Sequence, residues 1–191
     1  MKTQLFIGSE PKEEKFEEVE NREFPHAKCE GGFWTSSLDE DGECGWVKWT
    51  RRNSFSTHGV EVPVWKIVPE EDLDIYVINS LEDLLDLVDE YGFQDHPVLD
   101  REEGFSHKYP DWEAVSEDYD AVRLTSKGQT ETRMPRMRSK IEGLEQKWEG
   151  EFPPDLYGWD CESTLWFSWK FKTIERFGLY TQDREVEKNG G

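Results

Sequence analysis

The sequence predicts an α+β fold, a single compact domain in which short helices pack on mixed or antiparallel sheets. Runs of alternating apolar and polar residues predict strands, and apolar residues at helical spacing predict helices. The two kinds of element lack the regular βα repetition of a doubly wound parallel sheet. The length of 191 residues fits one domain, which we assign to residues 1–180, followed by a polar tail at 181–191.

The first half of the chain combines predicted strands with short predicted helices. Runs of β-branched, aromatic or alternating apolar residues predict strands at 5–7, 32–37, 60–64 and 73–77. The acidic stretch 11–22 predicts a marginal helix, because Phe16 and Val19 are its only apolar contacts. Trp46 and Trp49 stand three residues apart, which predicts a short helix with both rings on one face.

The second half contains the most clearly marked helix. Ser80 and Asp83 have the spacing of a capping box, apolar residues follow at helical intervals to residue 91, and Gly92 predicts the end. A short helix is expected from residue 111 and a strand at 121–125. Residues 127–138 are expected to form polar turns. Ser139 and Glu142 predict the start of another short helix.

The charge balance excludes several classes of partner. Lys and Arg number 23 and Asp and Glu number 43, so the net charge is −20. This charge would repel a phosphate backbone and argues against direct nucleic-acid binding. We expect no membrane association and a cytoplasmic location, since no apolar run reaches membrane-helix length and residues 1–7 lack a signal-peptide pattern. The 9 Trp, 6 Tyr and 11 Phe can supply a folded core.

The cysteines indicate reduced thiols and no metal site. The chain has 3 cysteines, and an odd number argues against a disulfide framework. Cys29 and Cys44 could join His26 and His58 as zinc ligands, but the intervals between them match no standard zinc spacing. We therefore interpret the cysteines as small core residues.

Residues 157–172 carry the cleanest alternation in the chain. The odd positions from 159 to 171 read as a core face, and the even positions place Asp160, Glu162, Thr164 and Trp166 together on the other face. A carboxylate beside a flat aromatic ring suits a sugar or a nucleotide, because the acid accepts from hydroxyls and the ring stacks. The alternative is an ordinary solvated strand face, which periodicity alone favours.

Three short motifs resemble the ADP-ribosyltransferase-like proteins, particularly the small members from phage and bacterial genomes. The motifs are Trp159-Asp160-Cys161-Glu162-Ser163, Phe33-Trp34-Thr35-Ser36-Ser37 and Tyr119-Asp120-Ala121-Val122. The resemblance spans most of the chain. It implies a fold in which three strands build a cleft for NAD: the first carries Arg or His, the second a hydroxyl or aromatic residue, and the third a glutamate.

The resemblance implies a catalytic role for one residue and a binding role for three. Glu162 matches the glutamate, and Thr35, Ser36 and Ser37 match the second-strand hydroxyl group. NAD is then the substrate, and ADP-ribose would pass to a macromolecular target such as a protein. Breaking the bond between nicotinamide and ribose builds positive charge on the sugar, which a fixed carboxylate stabilises.

The first strand departs from the family pattern. Ile7 stands where the family has Arg or His, directly before Gly8 and Ser9. We assign Gly8 and Ser9 to cofactor binding with this strand. Trp34 is expected to pack against the cofactor or line the cleft, and Trp166 to offer it a flat surface.

A basic cluster stands out in the acidic sequence. Its members are Arg133, Arg136, Arg138 and Lys140. It could clamp a diphosphate or hold a partner's acidic patch, or it could be a loop that compensates local charge.

The acid excess also supports an alternative function. Dispersed carboxylates could imitate the charge of DNA and occupy the basic cleft of a DNA-binding protein, which would make the chain a decoy or inhibitor without catalysis. A decoy needs no cleft, whereas a transferase needs Glu162 and Ser36 to converge on one concave site.

Overall fold

The computed structural model describes residues 2–23, 26–53, 61–93, 109–133, 154–181 and 187–188. Within these ranges eight strands form one sheet in the order β4-β5-β6-β2-β1-β3-β7-β8. The strands are β1 (Gln4–Ile7), β2 (Phe33–Ser37), β3 (Val62–Pro69), β4 (Ile75–Ile78), β5 (Ala121–Leu124), β6 (Ser163–Trp166), β7 (Phe171–Tyr180) and β8 (Glu187–Lys188). The sheet is mixed, because β4 and β5 are parallel and the other neighbours are antiparallel. The expected α+β class is confirmed.

Four α-helices accompany the sheet in the described part of the chain. They are α1 (Gly45–Arg52), α2 (Leu81–Tyr91), α3 (Trp112–Asp118) and α4 (Ser126–Thr132). The predicted start of α2 is confirmed, because the Ser80 side chain accepts a hydrogen bond from the backbone N–H of Asp83 at 3.2 Å. The same helix ends directly before Gly92. None of the described helices has the length and apolar character needed to cross a bilayer.

Two groups of buried apolar side chains fix the helices to the sheet. The larger group joins α2 and α3 to the β4, β5 and β6 end, with Leu84, Trp112, Val122 and Leu165 all less than 2% exposed. The smaller group includes Val47 of α1 and lies at the β1 and β3 end. The two groups therefore lie at different parts of the sheet. The neighbouring strands β6 and β2 lie between the β4-β5 pair and the β1-β3 pair.

A buried polar hub joins the three central strands. The side-chain oxygen of Gln4 accepts from Thr35 Oγ1 at 3.0 Å and from Thr164 Oγ1 at 3.2 Å, and its amide donates to Ser37 Oγ at 3.1 Å. Trp166 Nε1 donates to Thr35 Oγ1 at 2.8 Å. Each of these polar groups has a hydrogen-bond partner. The hub can therefore be buried without an unpaired donor or acceptor among them.

Two local predictions were wrong: the helix expected at 11–22 is only a short turn, and the turn region expected from residue 127 contains a helix. The acidic stretch 11–22 forms only a short 3-10 turn at Glu13–Lys15, because its two apolar residues, Phe16 and Val19, are too few to make a stripe that packs a helix on the core. Part of the expected turn region is α4, although its sequence has poor helix propensity. The Thr125 side chain caps it by accepting from Gly128 N–H at 3.0 Å. Gly128 also packs so closely on Ile78 that a Cβ would lie 2.2 Å from the Ile78 carbonyl oxygen.

The predicted long alternating strand at 159–171 is divided in the structure. The strand β6 covers only Ser163–Trp166, the chain then turns, and Phe171 begins β7. Thr164 and Trp166, which we expected on an open face, are both 0% exposed. They are buried because β6 lies between β5 and β2 inside the sheet, where side chains on both of its faces are covered. Two residues of the predicted polar tail also pair with β7 as β8.

Some predictions fall outside the described residues. The helix expected from Ser139 and the basic residues Arg136, Arg138 and Lys140 lie there, as does His58. The described end of the basic cluster is Arg133, whose guanidinium carbon lies 5.4 Å from the ring centre of Tyr157.

Candidate functional site

The hydroxyl of Ser36 and the carboxylate of Glu162 are in direct contact. Ser36 Oγ donates to Glu162 Oε2 at 2.8 Å, and the backbone N–H of Ser37 donates to the same oxygen at 2.9 Å. The strand register explains the contact. Antiparallel pairing sets Thr35 opposite Thr164, so continuing it by two residues brings Ser37 opposite Glu162. Glu162 therefore contacts the second-strand hydroxyl of Ser36.

The second oxygen of Glu162 faces a cation without bonding to it. Glu162 Oε1 lies 3.8 Å from Arg123 Nε, and neither atom has a hydrogen-bond partner among the described residues. The Glu162 side chain is 9% exposed and that of Arg123 is 23% exposed. The pair thus neutralises charge at a largely buried position and leaves one buried carboxylate oxygen without a hydrogen-bond donor from the described part of the chain.

An aromatic hollow of about 450 Å³ opens on one side of the Ser36–Glu162 contact. Its lining includes Ile7, Trp34, Ser36, Trp46 and Asp160. Trp46 is 38% exposed and stacks on Trp49, with ring centres 4.9 Å apart and planes 17° apart. The volume lies in the range of small-molecule sites, and apolar rings with a few polar groups are the usual lining of such sites.

Cationic side chains lie at the mouth of the aromatic hollow. Lys28 Nζ lies 5.4 Å from the ring centre of Trp34 and 3.6 Å from Asp160 Oδ2. Arg22 also lines the hollow and pairs with Glu30 at 3.0 Å. The hollow therefore offers ring surfaces and two cations, each paired with a carboxylate of the same lining, in a chain whose net charge is −20.

A second hollow, of about 350 Å³, lies on the other side of the same contact. We call it the polar hollow. It is bordered by Ser37 and Glu162 and by four cationic side chains, those of Lys2, Lys48, Arg123 and Lys127. Gly45 borders it too, and a Cβ there would lie 3.2 Å from Ser36 Oγ and 3.3 Å from the Glu162 carbonyl oxygen. The absence of a side chain at Gly45 leaves room for the Ser36–Glu162 contact.

The structure divides the predicted binding residues between the two hollows. Trp34, Thr35 and Ser36 line the aromatic hollow, and Ser37 lines the polar hollow with Glu162. The hydroxyl of Thr35 is already used in the Gln4 hub, where it donates to Gln4 and accepts from Trp166.

Three predicted cofactor-binding residues lie away from both hollows. Trp166 is a correction, because its buried ring packs edge-on against Phe171 at 4.9 Å and offers no open surface. Gly8 and Ser9 line neither hollow. The N–H of Gly8 donates to the Pro63 carbonyl at 3.0 Å and so continues the pairing of β1 with β3, while its own carbonyl accepts from the side chain of Trp65, at Nε1, at 3.1 Å.

The cysteines are buried free thiols. Burial raises the pKa of Cys29 and of Cys44 to about 11 and that of Cys161 to about 12. Among the described residues there is no group of three His, Cys, Asp or Glu side chains that could hold a metal ion.

Sequence reasoning missed two residues of the site. Trp46 was assigned only to a helix face, although it lines the aromatic hollow. Arg123 is the single charge in the apolar strand β5, and a charge in such a buried segment is the signal that could have drawn attention to it.

Comparisons with protein-family models, with curated proteins and with solved structures found no match for this chain.

Proposed function

We propose that the protein is of the ADP-ribosyltransferase type, binds NAD in the aromatic hollow and transfers ADP-ribose to a second molecule. The observation that carries the proposal is the Ser36–Glu162 contact, which stands between two hollows of different chemistry. A transferase needs one site for the donor and one for the acceptor with the reacting carbon between them. The arrangement supports transfer to an acceptor in preference to simple hydrolysis.

The proposed reaction exchanges one bond for another at the ribose. The bond between the nicotinamide nitrogen and ribose C1′ breaks, and its electron pair leaves with nicotinamide. An acceptor atom then forms the new bond to C1′ and loses its proton. Positive charge develops on the ribose between these events, and the carboxylate of Glu162 stabilises it. Ser36 and the Ser37 N–H hold that carboxylate in place.

The lining of the aromatic hollow supports NAD as the donor. Trp34 and Trp46 provide ring surfaces for the nicotinamide or adenine base, and Asp160 can accept from ribose hydroxyls. Ile7 provides only an apolar wall where the family has a cation. Arg22 and Lys28 bring positive charge to the hollow from another segment, and in this proposal they face the diphosphate.

The decoy alternative depends on dispersed carboxylates and requires no concave site. Ser36 lines the aromatic hollow and its hydrogen-bond partner Glu162 lines the polar hollow, and two hollows linked in this way favour the transferase, because a decoy has no use for either. The decoy function stays a prediction. If it is right, the chain should capture a basic DNA-binding protein in a salt-sensitive way and should not consume NAD.

The test is NAD turnover by the wild type and by Glu162→Gln. We expect the wild type to release nicotinamide and to label a lysate component with ADP-ribose. The Gln variant keeps the shape of the side chain, so it is expected to fold and to lose about 10²–10³ in rate. Glu175→Gln, an exposed carboxylate on β7, is the matched control and should keep full activity.

Two results would contradict the proposal. One is the absence of both nicotinamide release and NAD binding in the wild type. The other is equal turnover by the wild type and Glu162→Gln, which would mean that the carboxylate has no part in the reaction.

A further inference from the structure

The polar hollow has an unusual charge for this chain. Its lining has four cationic side chains and two carboxylates, those of Asp39 and Glu162, so the lining has an excess of two positive charges. The whole chain carries −20. A local reversal of sign in a concave site attracts anions, because a cleft concentrates the field of the charges that line it.

Two of the four cations are engaged by carboxylates in the lining. Lys48 forms an ion pair with Asp39, and hydrogen bonding to Asp39 raises the pKa of Lys48. Arg123 faces Glu162 at 3.8 Å. These pairs leave the positive charge of the other two cations, Lys2 and Lys127, for an incoming group.

The other two cations, Lys2 and Lys127, interact only weakly or not at all with carboxylates of the described residues. Lys127 lies 3.6 Å from Glu131, a contact between side chains that are 61% and 31% exposed and therefore screened by water. Lys2 forms no ion pair with the described residues. The side chains of Asn79 and Ser126 add neutral donors at the border of the hollow, whereas the Thr125 hydroxyl there already donates to Asn79 Oδ1.

We propose that the polar hollow binds a phosphate group and that this phosphate belongs to the acceptor of ADP-ribose. The first half stands on the charge and shape of the hollow alone, and the second half rests on the proposed transferase function. A phosphate dianion matches the excess of two charges and accepts several hydrogen bonds at once. Glu162 forms part of the same wall, so a molecule anchored there by its phosphate lies beside the carboxylate that faces the reacting ribose.

Inorganic phosphate is the probe for the first half. We expect saturable binding to the wild type, measured by calorimetry at low ionic strength, and about tenfold weaker binding to Lys2→Ala and to Lys127→Ala. Both lysines are at the surface, so these variants should fold. Lys172→Ala is the matched control, because that exposed lysine pairs with Glu71 on another part of the surface.

Glu162→Gln gives a prediction of opposite sign. Removing its negative charge should strengthen phosphate binding, although the same change should slow the turnover of NAD by about 10²–10³. No saturable phosphate binding, equal affinity in the lysine variants and the control, or weaker binding by Glu162→Gln would each overturn the phosphate site.

The source of the phosphate is tested by adding NAD at saturation. Simultaneous binding of NAD and inorganic phosphate supports the acceptor, because the two ligands then occupy different hollows. Competition would assign the phosphate site to the diphosphate of NAD and overturn the acceptor assignment. If NAD fails to bind at all, the proposed function and the acceptor assignment fall together, whereas the phosphate site is still decided by the lysine variants.

Discussion

Ser36 Oγ lies 2.8 Å from Glu162 Oε2, although 126 residues separate them in the chain. The hydrogen bond joins the end of β2 to the residue before β6 and links a residue of the aromatic hollow, Ser36, to a residue of the polar hollow, Glu162. Its geometry depends on one strand pairing, so changes to either residue should affect the site more than the fold.

Ser36→Ala tests whether this hydrogen bond orients the carboxylate. Without the hydroxyl, Glu162 Oε2 keeps only the N–H of Ser37, and its orientation is less fixed. We expect the rate of nicotinamide release to fall by about tenfold or more through kcat, with about 1 kcal/mol lost from the free energy of unfolding. Ser116→Ala, at a half-buried position of α3 that borders neither hollow, is the control. An unchanged kcat would show that Ser36 does not position Glu162.

Tryptophan fluorescence should report NAD binding from the aromatic hollow. Trp34 and Trp46 line it, whereas Trp169 packs against Phe33 and Phe171 away from it. The fluorescence change on adding NAD should therefore shrink in Trp34→Phe and Trp46→Phe and persist in Trp169→Phe. The reverse pattern would place the nucleotide elsewhere. Each variant needs a thermal melt, so that loss of structure is not taken for loss of signal.

Asp120 should make stability depend on pH. Burial alone would raise the pKa of Asp120, but hydrogen bonds from Lys170, the Asp74 N–H and Ser168 outweigh it and hold that pKa below its usual value. A carboxyl with a lowered pKa stabilises the fold above its unfolded pKa of about 3.9 and loses that contribution as pH falls through its native pKa. Asp120→Asn should therefore cost about 1–3 kcal/mol of unfolding free energy near neutral pH.

The measurement for Asp120 is urea unfolding across an acid titration. The difference between the wild type and Asp120→Asn should be largest near neutrality and should shrink as the wild-type carboxyl takes up its proton. Asp72→Asn, in the turn before β4, serves as the exposed control. A difference that stays constant with pH would mean that the charge of Asp120 does not contribute.

The thiols should be inert in the native protein. Burial raises the pKa of each cysteine to about 11 or 12, so at most about one thiol in a thousand is ionised near pH 8. A thiol reagent should react slowly with the folded chain and rapidly with all 3 cysteines after unfolding in guanidinium chloride. Rapid labelling of the native protein would show that one of these buried positions is open to solvent.

Local signals predicted the elements that local interactions determine. The cap at Ser80 and the stop at Gly92 gave the bounds of α2, and the aromatic and β-branched run gave β2. The strand β7 was missed, because its ten residues mix charged and apolar side chains and pair with β3 far along the chain. Burial of Trp166 was missed for a related reason, since it follows from the strands on either side of β6.

The candidate site was only partly predictable for the same physical reason. The family resemblance brought Ser36 and Glu162 together as an expectation. The division into two hollows could not be predicted, because the cations of the polar hollow come from the chain start, α1, β5 and α4. Each is an ordinary surface or strand residue in its own segment, and only the tertiary fold makes them neighbours.

The position of β6 constrains how the chain can be made. It lies between β5 and β2 and is the link between the β4-β5 pair and the β2-β1-β3 group. During synthesis the strands of both sheet fragments leave the ribosome before residues 163–166. Until then β5 and β2 each have an unpaired edge. Folding should therefore finish only after synthesis has passed β6, and nascent chains stalled before it should need a chaperone to stay unaggregated.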